Sequence, residues 1–443
     1  MEEILATIAI ALAATIFIVL SFSIYLTIRI FTGKSIRNKA YSPVHATVFD
    51  LLFHSQEFLS PGQSEIFTAD ARNVEHILKT RFDNYSKGHS SRENLADLLG
   101  HGIFAVDGDK WRQQRKLASF EFSTRVLRDF SCSVFRTNAC KHVGFVSEFA
   151  LSGKSFDAQD MLMRYTLESI FKVGFGAQQL KCLDKFSKEG EEFVEGFDEG
   201  NVATSLRFID PLWKLKRFLN IGSQARLKKS IATIDKFVYR LITTKRKELG
   251  REQNTAVRED ILSRFLVENV TSSHERTTDV NGFVQSINEE ALDQMQYLHA
   301  ALSETLRLYP PVPVDMRCAE NDDILADGHR VKRGDNVYYL AYAMGRMTYV
   351  WGQDAEEFKP ERWLKDGGFQ PESPFKFISF HAGPRICLGK DFAYRQMKIV
   401  SMVLLHFFRF KMADEKSNVR YKRMLTLHIE GGLHLHAIPR TST

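Results

Sequence analysis

From residue 4 to residue 28 the chain reads ILATIAIALAATIFIVLSFSIYLTI, without one charged side chain. A helix of about 20 apolar residues suffices to cross a bilayer, so residues 1–30 are expected to form a single transmembrane anchor. Glu2 and Glu3 precede this stretch, whereas Arg29, Lys34, Arg37 and Lys39 follow it. The positive-inside bias then places residues 31–443 in the cytosol. A cleaved signal peptide is the alternative, but its apolar region would be shorter and its basic residues would come first. Beyond the anchor the pattern turns helical. DKWRQQRKLASFEFS, RVLRDFSCSVFRTNACKHVGFVSEFA and LDQMQYLHAALSETLRLY repeat apolar residues at three-to-four spacing, which predicts amphipathic helices. Strand signals are confined to SEIFTA, HRVKRGDNVYYLAYAMG and MLTLHIEGGLHLHAI. The last reads as a hairpin turning at Gly431-Gly432, with His434 and His436 on its polar face rather than as metal ligands.

Composition narrows the class. The 443 residues are 44% hydrophobic and 26% charged, ordinary globular material with enough apolar side chains for a large core. No internal repeat, low-complexity tract or linker interrupts residues 31–443, so one mainly α domain with small β sheets is expected. Five cysteines, at 132, 140, 182, 318 and 387, are an odd number without a C-x-x-C pair, which argues against a disulfide framework or a zinc site. The net charge of +6 is mild for this length and gives no reason to expect a nucleic-acid partner.

The cysteine in FISFHAGPRICLGKDFAYRQ stands apart. Gly383 and Gly389 let the backbone turn tightly around Cys387, as a close approach of main chain to a ligand requires. Arg385, two residues earlier, favours the thiolate form, and a thiolate on a shaped loop can bind a metal. Phe380, Gly383, Arg385, Cys387 and Gly389 reproduce F-x-x-G-x-R-x-C-x-G, and the stretch thereby resembles the haem-thiolate loop of the cytochrome P450 monooxygenases. The alternative for the loop alone is a buried structural cysteine in a glycine-rich turn.

Further motifs extend the resemblance. Glu304 and Arg307 lie three apart on a helix that should stop at Pro310-Pro311, so they share one face. In the family an E-x-x-R pair joins the arginine of a P-E-R motif in a buried network behind the haem; in FKPERW that arginine is Arg362. Trp111 and Arg115 are one helical turn apart, and the resemblance implies that they hold a haem propionate together with Arg317 and Arg385. Each of these arginines alone would read as a solvated surface residue. The motifs run in the family's order from position 111 to 389. Residues 104–123 and 375–400 look most like the plant branch that contains fatty-acid ω-hydroxylases.

One family element is not found. A long helix carrying A/G-G-x-D/E-T-T/S should cross the distal haem face, yet NVTSSHERTTDVNGFVQS, residues 269–286, stands in its place. It is polar, lacks an apolar stripe and would reach only about 27 Å even as a full helix. No distal acid–alcohol pair is therefore assigned. A second shortening is expected in FHSQEFLSPGQSEIF, before the first strand, where family members carry an additional helix and strand. The loss of the crossing helix predicts exposed apolar surface and weak haem retention.

The resemblance implies a cytochrome P450 fold binding haem b (iron protoporphyrin IX) through Cys387. It implies hydroxylation of fatty acids or similar lipophilic substrates with O2, using electrons from an NADPH-dependent flavoprotein reductase at the endoplasmic reticulum membrane. Arg112, Lys116, Lys390, Arg395 and Lys398 are the expected basic docking face. The competing expectation is a truncated, catalytically impaired isoform acting as a non-enzymatic haem-binding or reductase-binding membrane protein. A soluble-type haem electron carrier is disfavoured by the thiolate loop and by the lack of C-x-x-C-H.

Overall fold

The structure, a computed structural model, describes residues 56–60, 63–123, 125–176, 188–251, 280–285, 287–415, 419–422 and 424–440, with residue 21. The expected anchor falls outside the described residues, apart from Ser21. Among the described residues no helix is long and apolar enough to cross a membrane. The chain forms two compact units, Met1–Gly88 with Pro313–Glu356 and Ser373–Ile386, and His89–Val312 with Glu357–Glu372 and Cys387–Thr443.

The first unit is built on a five-stranded sheet of β1 (Gln56–Ser60), β2 (Gln63–Thr68), β3 (Tyr85–Ser86), β4 (Asp315–Ala319) and β5 (Asn336–Tyr339), in the order β1-β2-β5-β4-β3. β2 is the expected SEIFTA strand. It runs parallel to β5, Ile66 opposite Val337, and antiparallel to β1, Gln56 opposite Phe67. Where the sequence suggested a lost strand, β1 supplies an edge immediately upstream. β4 and β5 pair antiparallel with Asp315 opposite Tyr339 and Arg317 opposite Val337. Side chains two apart in a strand share a face, so Asp315 and Arg317 point the same way. Ile66, Val74, Ile77, Leu78, Val337 and Ala382 form the unit's core.

The second unit is helical: α1 (Gly108–Ser123), α2 (Arg125–Ser152), α3 (Ala158–Phe175), α4 (Lys188–Leu206), α5 (Gly222–Arg251), α6 (Gln296–Leu308) and α7 (Lys390–Phe407). α3 shows how the sequence sets its ends. The Asp157 carboxylate accepts from the amides of Gln159 and Asp160 at the start, and Gly176 closes the end at φ +62. α6 stops at Leu308, just before the two prolines, as expected. Its core gathers Phe135 and Val146 of α2, Tyr165 of α3, Ile399 and Val403 of α7, and Ala437.

Two expectations are corrected in this unit. β6 (Phe408–Met412) and β7 (His434–Pro439) pair with each other, and β7 also takes the short strand Phe156–Asp157. His428–Ile429 instead pairs with Tyr421–Lys422. The strands flanking Gly431-Gly432 thus do not form a hairpin. Both glycines do turn, at φ +82 and +83, but Asp157 captures the Leu433 amide at 2.9 Å and draws the chain to another partner. In residues 269–286, the described part includes Val280–Gln285, a six-residue helix. Val284 and Ile287 are buried in the core, and Phe283 stacks on His406 at 3.8 Å. The segment is therefore not wholly polar loop, although a helix of that length spans only about 9 Å.

Candidate active site

Cys387 is a free, exposed thiol one turn before α7. The backbone enters the loop through Gly383–Arg385, a single tight turn closed by the Ile386 amide on the Gly383 carbonyl at 3.0 Å. Gly383 holds φ +65, and a Cβ there would overlap the Leu78 carbonyl oxygen. Backbone meets backbone, so no side chain fits. Gly389 is different, since a Cβ would lie 3.7 Å from Phe122 and 3.9 Å from Cys387 Sγ, in ordinary contact. Gly383→Ala is accordingly expected to destabilise the fold by about 2 kcal/mol or more, and Gly389→Ala by under about 0.5 kcal/mol. Urea denaturation midpoints of the two variants provide the check.

Behind the cysteine, Phe122 at the end of α1 meets Phe392 of α7 edge-on at 6.2 Å, and Phe392 meets Phe135 at 4.8 Å. On α1, Trp111 is buried and Arg115 half-buried. Burial draws the Arg115 guanidinium below its usual value, while the neighbouring Cys387 opposes that shift. The W-x-x-x-R pair is thus helical as expected, and Arg115 lies within electrostatic reach of the cysteine.

Glu304 and Arg307 are completely buried and meet as a two-pronged pair, Nε to Oε2 and Nη2 to Oε1, both at 2.7 Å. The same carboxylate accepts from Arg362 Nε at 2.8 Å, the Lys359 amide at 2.9 Å and the Trp363 indole at 2.9 Å. Arg307 also donates to the Glu357 carbonyl at 3.0 Å. Burial by itself would raise the Glu304 carboxyl, but these donors outweigh it and hold it below the usual carboxylate range. Ser303 bonds Tyr394 of α7 at 2.8 Å, tying the same helix to the one that follows Cys387. The expected three-residue network is therefore present, with Trp363 and two backbone groups added.

In the first unit, Arg317 is buried and donates to Asp315 at 3.1 Å and to the Met316 carbonyl at 2.6 Å. Asp315 also accepts from Lys87 at 3.0 Å, Tyr339 at 2.8 Å and His381 at 2.7 Å. Burial would raise Asp315, yet Lys87, Arg317 and His381 hold it well below its ordinary value. Burial pushes the Tyr339 hydroxyl up, with Asp315 adding to it. Arg385 and Phe380 are half-buried in this unit, and Arg385 acts on both Lys87 and Tyr339.

The basic face needs correction. Lys398 is buried, its Nζ donating to the Leu292 carbonyl at 2.7 Å, and Arg395 is largely covered and paired with Glu289 at 2.8 Å. Both lie on the core-facing stripe of α7 and serve its packing. Arg112 and Lys116 are exposed, and Lys390 is half-buried.

Comparison with known proteins decides the family. A family model described as Cytochrome P450 matches residues 59–281 and 269–436. The chain belongs to the cytochrome P450 family. Its P450 relatives include cytochrome P450 704C1 of Pinus taeda, 44% identical over 447 residues and 86% of each chain. Cytochrome P450 704B1 of Arabidopsis thaliana is 39% identical over 476 residues, 89% of this chain and 90% of its own. Cytochrome P450 94B3, also of Arabidopsis thaliana, is 38% identical over 428 residues, 86% of this chain and 84% of its own. P450s are haem b monooxygenases, and these relatives are plant members. The first alignment is longer than this entire 443-residue P450 although only 86% of it takes part, so the relative carries residues with no counterpart here. The family match is also split in two, overlapping at 269–281, where the crossing helix was expected.

Several site residues of this P450 escaped the sequence reading. Trp363 directly follows the P-E-R arginine, a position that could have marked it. Asp315 lies two before Arg317 in PVDMR, the spacing of one strand face. His381 occupies an unspecified position of the cysteine motif, and Lys87 and Tyr339 carry no local signal, because only the sheet brings them to Asp315.

Proposed function

We propose that this P450 hydroxylates fatty acids or similar lipophilic substrates, with O2 and with NADPH-derived electrons delivered by a flavoprotein reductase. In this reading Cys387 ligates haem iron, Trp111 and Arg115 hold one part of the propionate edge, and Arg317 and Arg385 hold another. Glu304, Arg307 and Arg362 fix the helix behind the cysteine loop. The residues fit the group. Cys387 presents an exposed thiol beside a guanidinium, and in the first unit Arg317 is buried and Arg385 half-buried, guanidinium donors of the kind that hold carboxylates. When bound, haem supplies the activation of oxygen, and thiolate ligation favours that chemistry.

The chain's own residues set the conditions for it. Gly383 forces the turn that presents Cys387, and Phe122, Phe392 and Phe135 pack as an aromatic wall behind it. Such a wall gives the cysteine loop a packed apolar backing on the side of α7. The exposed Cys387 thiol on its glycine-shaped loop carries the proposal. The resemblance of residues 104–123 and 375–400 to fatty-acid ω-hydroxylases supports the substrate class. The uncharged stretch 4–28, followed by basic residues, supports a single-pass anchor in the endoplasmic reticulum with the catalytic part in the cytosol.

The test is a reduced carbon monoxide difference spectrum of the full chain in microsomes. A far-red-shifted Soret band, absent from Cys387→Ser, is expected, followed by NADPH-dependent fatty-acid oxidation once reductase is added. Protein present without the band would overturn the assignment of Cys387 as ligand.

A further inference from the structure

A column of rings links the Glu304 network to α7 by a route that no motif marks. The Trp363 indole, which donates to Glu304, lies parallel to Phe369 with ring centres 5.9 Å apart. Phe369 stacks in turn on His299 at 4.0 Å, and His299 lies 4.3 Å from Tyr394 of α7. These spacings are those of attractive ring pairs. The Tyr394 hydroxyl bonds Ser303, the neighbour of Glu304, so the path closes on the helix from which it started. His299 and Ser303 are four apart on α6 and meet Tyr394 from one face. All of these residues belong to the second unit, as does Cys387, which lies just before Lys390, where α7 begins. Burial, with Lys398 and Lys390, draws His299 down to about 4 against the pull of Asp391 and Asp293, and burial pushes Tyr394 up to about 12 although Ser303 opposes it. Both rings are therefore neutral at ordinary pH, and the column brings α7 contact without charge.

We infer that Tyr394 and His299 are positioning residues for Cys387: through this column α6 sets the first turns of α7, and with them the cysteine loop. This inference rests on the haem reading. The bonds of Glu304 hold α6 to the Lys359–Trp363 stretch, and the column carries that hold across to α7. A helix moves as a unit, so a shift where Tyr394 meets α6 is passed to the residues just before its first turn. Arg395 and Lys398 pin the same helix to Glu289 and to the Leu292 carbonyl. Cutting the column therefore leaves α7 folded and changes its setting against α6.

The experiment is the reduced carbon monoxide spectrum of the full chain in microsomes. It is read as the ratio of the far-red-shifted Soret band, which needs thiolate on the iron, to the shorter-wavelength band given when the thiolate is lost. Tyr394→Phe keeps the ring and removes the hydroxyl, and should lower that ratio about threefold or more, the scale of one buried hydrogen bond. Ser303 can then turn its hydroxyl to a carbonyl of its own helix, so no buried group is stranded. His299→Leu should lower the ratio as much, whereas His299→Phe, which restores a ring between Phe369 and Tyr394, should recover most of it. Ile399→Val, in the buried core of the same helix, costs comparable stability and should leave the ratio unchanged. The effect of Tyr394→Phe should be flat between about pH 6 and pH 9, where neither ring titrates. A wild-type ratio in both Tyr394→Phe and His299→Leu, or an equal fall in Ile399→Val, would overturn the inference while the band itself upholds the haem reading. A wild type without the far-red-shifted band would fail that reading and the inference with it.

Discussion

Inserting into residues 269–286 an apolar stretch of helix length from a cytochrome P450 relative is expected to raise haem content per protein severalfold. A family match split at 269–281 and an alignment longer than the chain are what a shortening in that region would produce. In the second unit, the surface is what such a loss would leave. Phe104 is 68% exposed, Leu117 55% and Phe120 65%, all within or just before α1, the helix that bears Trp111 and Arg115. Covering a side chain of this size contributes roughly 1.5 to 3 kcal/mol. Three of them give on the order of 5 kcal/mol, comparable to the whole net stability of roughly 5 to 15 kcal/mol typical of a folded protein. The insertion should also reduce binding of an apolar fluorescent dye, since the same surface would be withdrawn from water. Haem-to-protein ratios from the Soret band decide the matter. Unchanged haem content together with unchanged dye binding would show that these side chains are covered by something else.

What the sequence made legible follows from the range of the interactions concerned. Helices α1, α2 and α6 could be read because apolar periodicity is a local property, and the stop of α6 because proline acts on its immediate neighbours. Cys387, Gly383 and the Glu304–Arg307 pair were legible for the same reason, since each motif is closed within about ten residues. Pairing between distant strands was not. MLTLHIEGGLHLHAI has both the alternation and the turn of a hairpin, but Asp157, far away in the chain, redirects it through one carboxylate. The same holds for the site. Lys87, Asp315, Tyr339 and His381 come from four separate stretches, and only the order of strands in the first unit's sheet puts β4 between β3 and β5. Lys398 was misread in the opposite sense. Its charge suggested a surface, whereas its position on the packed stripe of α7 buries it, with a backbone carbonyl as partner.

Glu304→Gln is expected to cost about 3 to 5 kcal/mol, the usual consequence of removing one member of a buried ion pair. The substitution keeps the volume and removes the charge. Arg307 and Arg362 would then face a neutral amide whose NH2 group can accept nothing from the five donors that now converge on the carboxylate, namely two from Arg307 and one each from Arg362, Lys359 and Trp363. Arg307→Lys should fall almost as far, because an ammonium cannot reproduce the two parallel bonds of the guanidinium. Trp363→Phe removes one donor and part of a fully buried ring and should cost about 2 to 3 kcal/mol. The pH dependence supplies a separate signature. Glu304 is held below its unfolded value, so its contribution is fully present above the unfolded pKa and is lost as pH falls through the folded one. The wild type should therefore lose stability on acidification more steeply than Glu304→Gln, whose side chain does not titrate. Urea midpoints between neutral pH and about pH 3 measure both effects. Equal midpoints for wild type and Glu304→Gln at neutral pH would show that the network orders the loop without stabilising the fold.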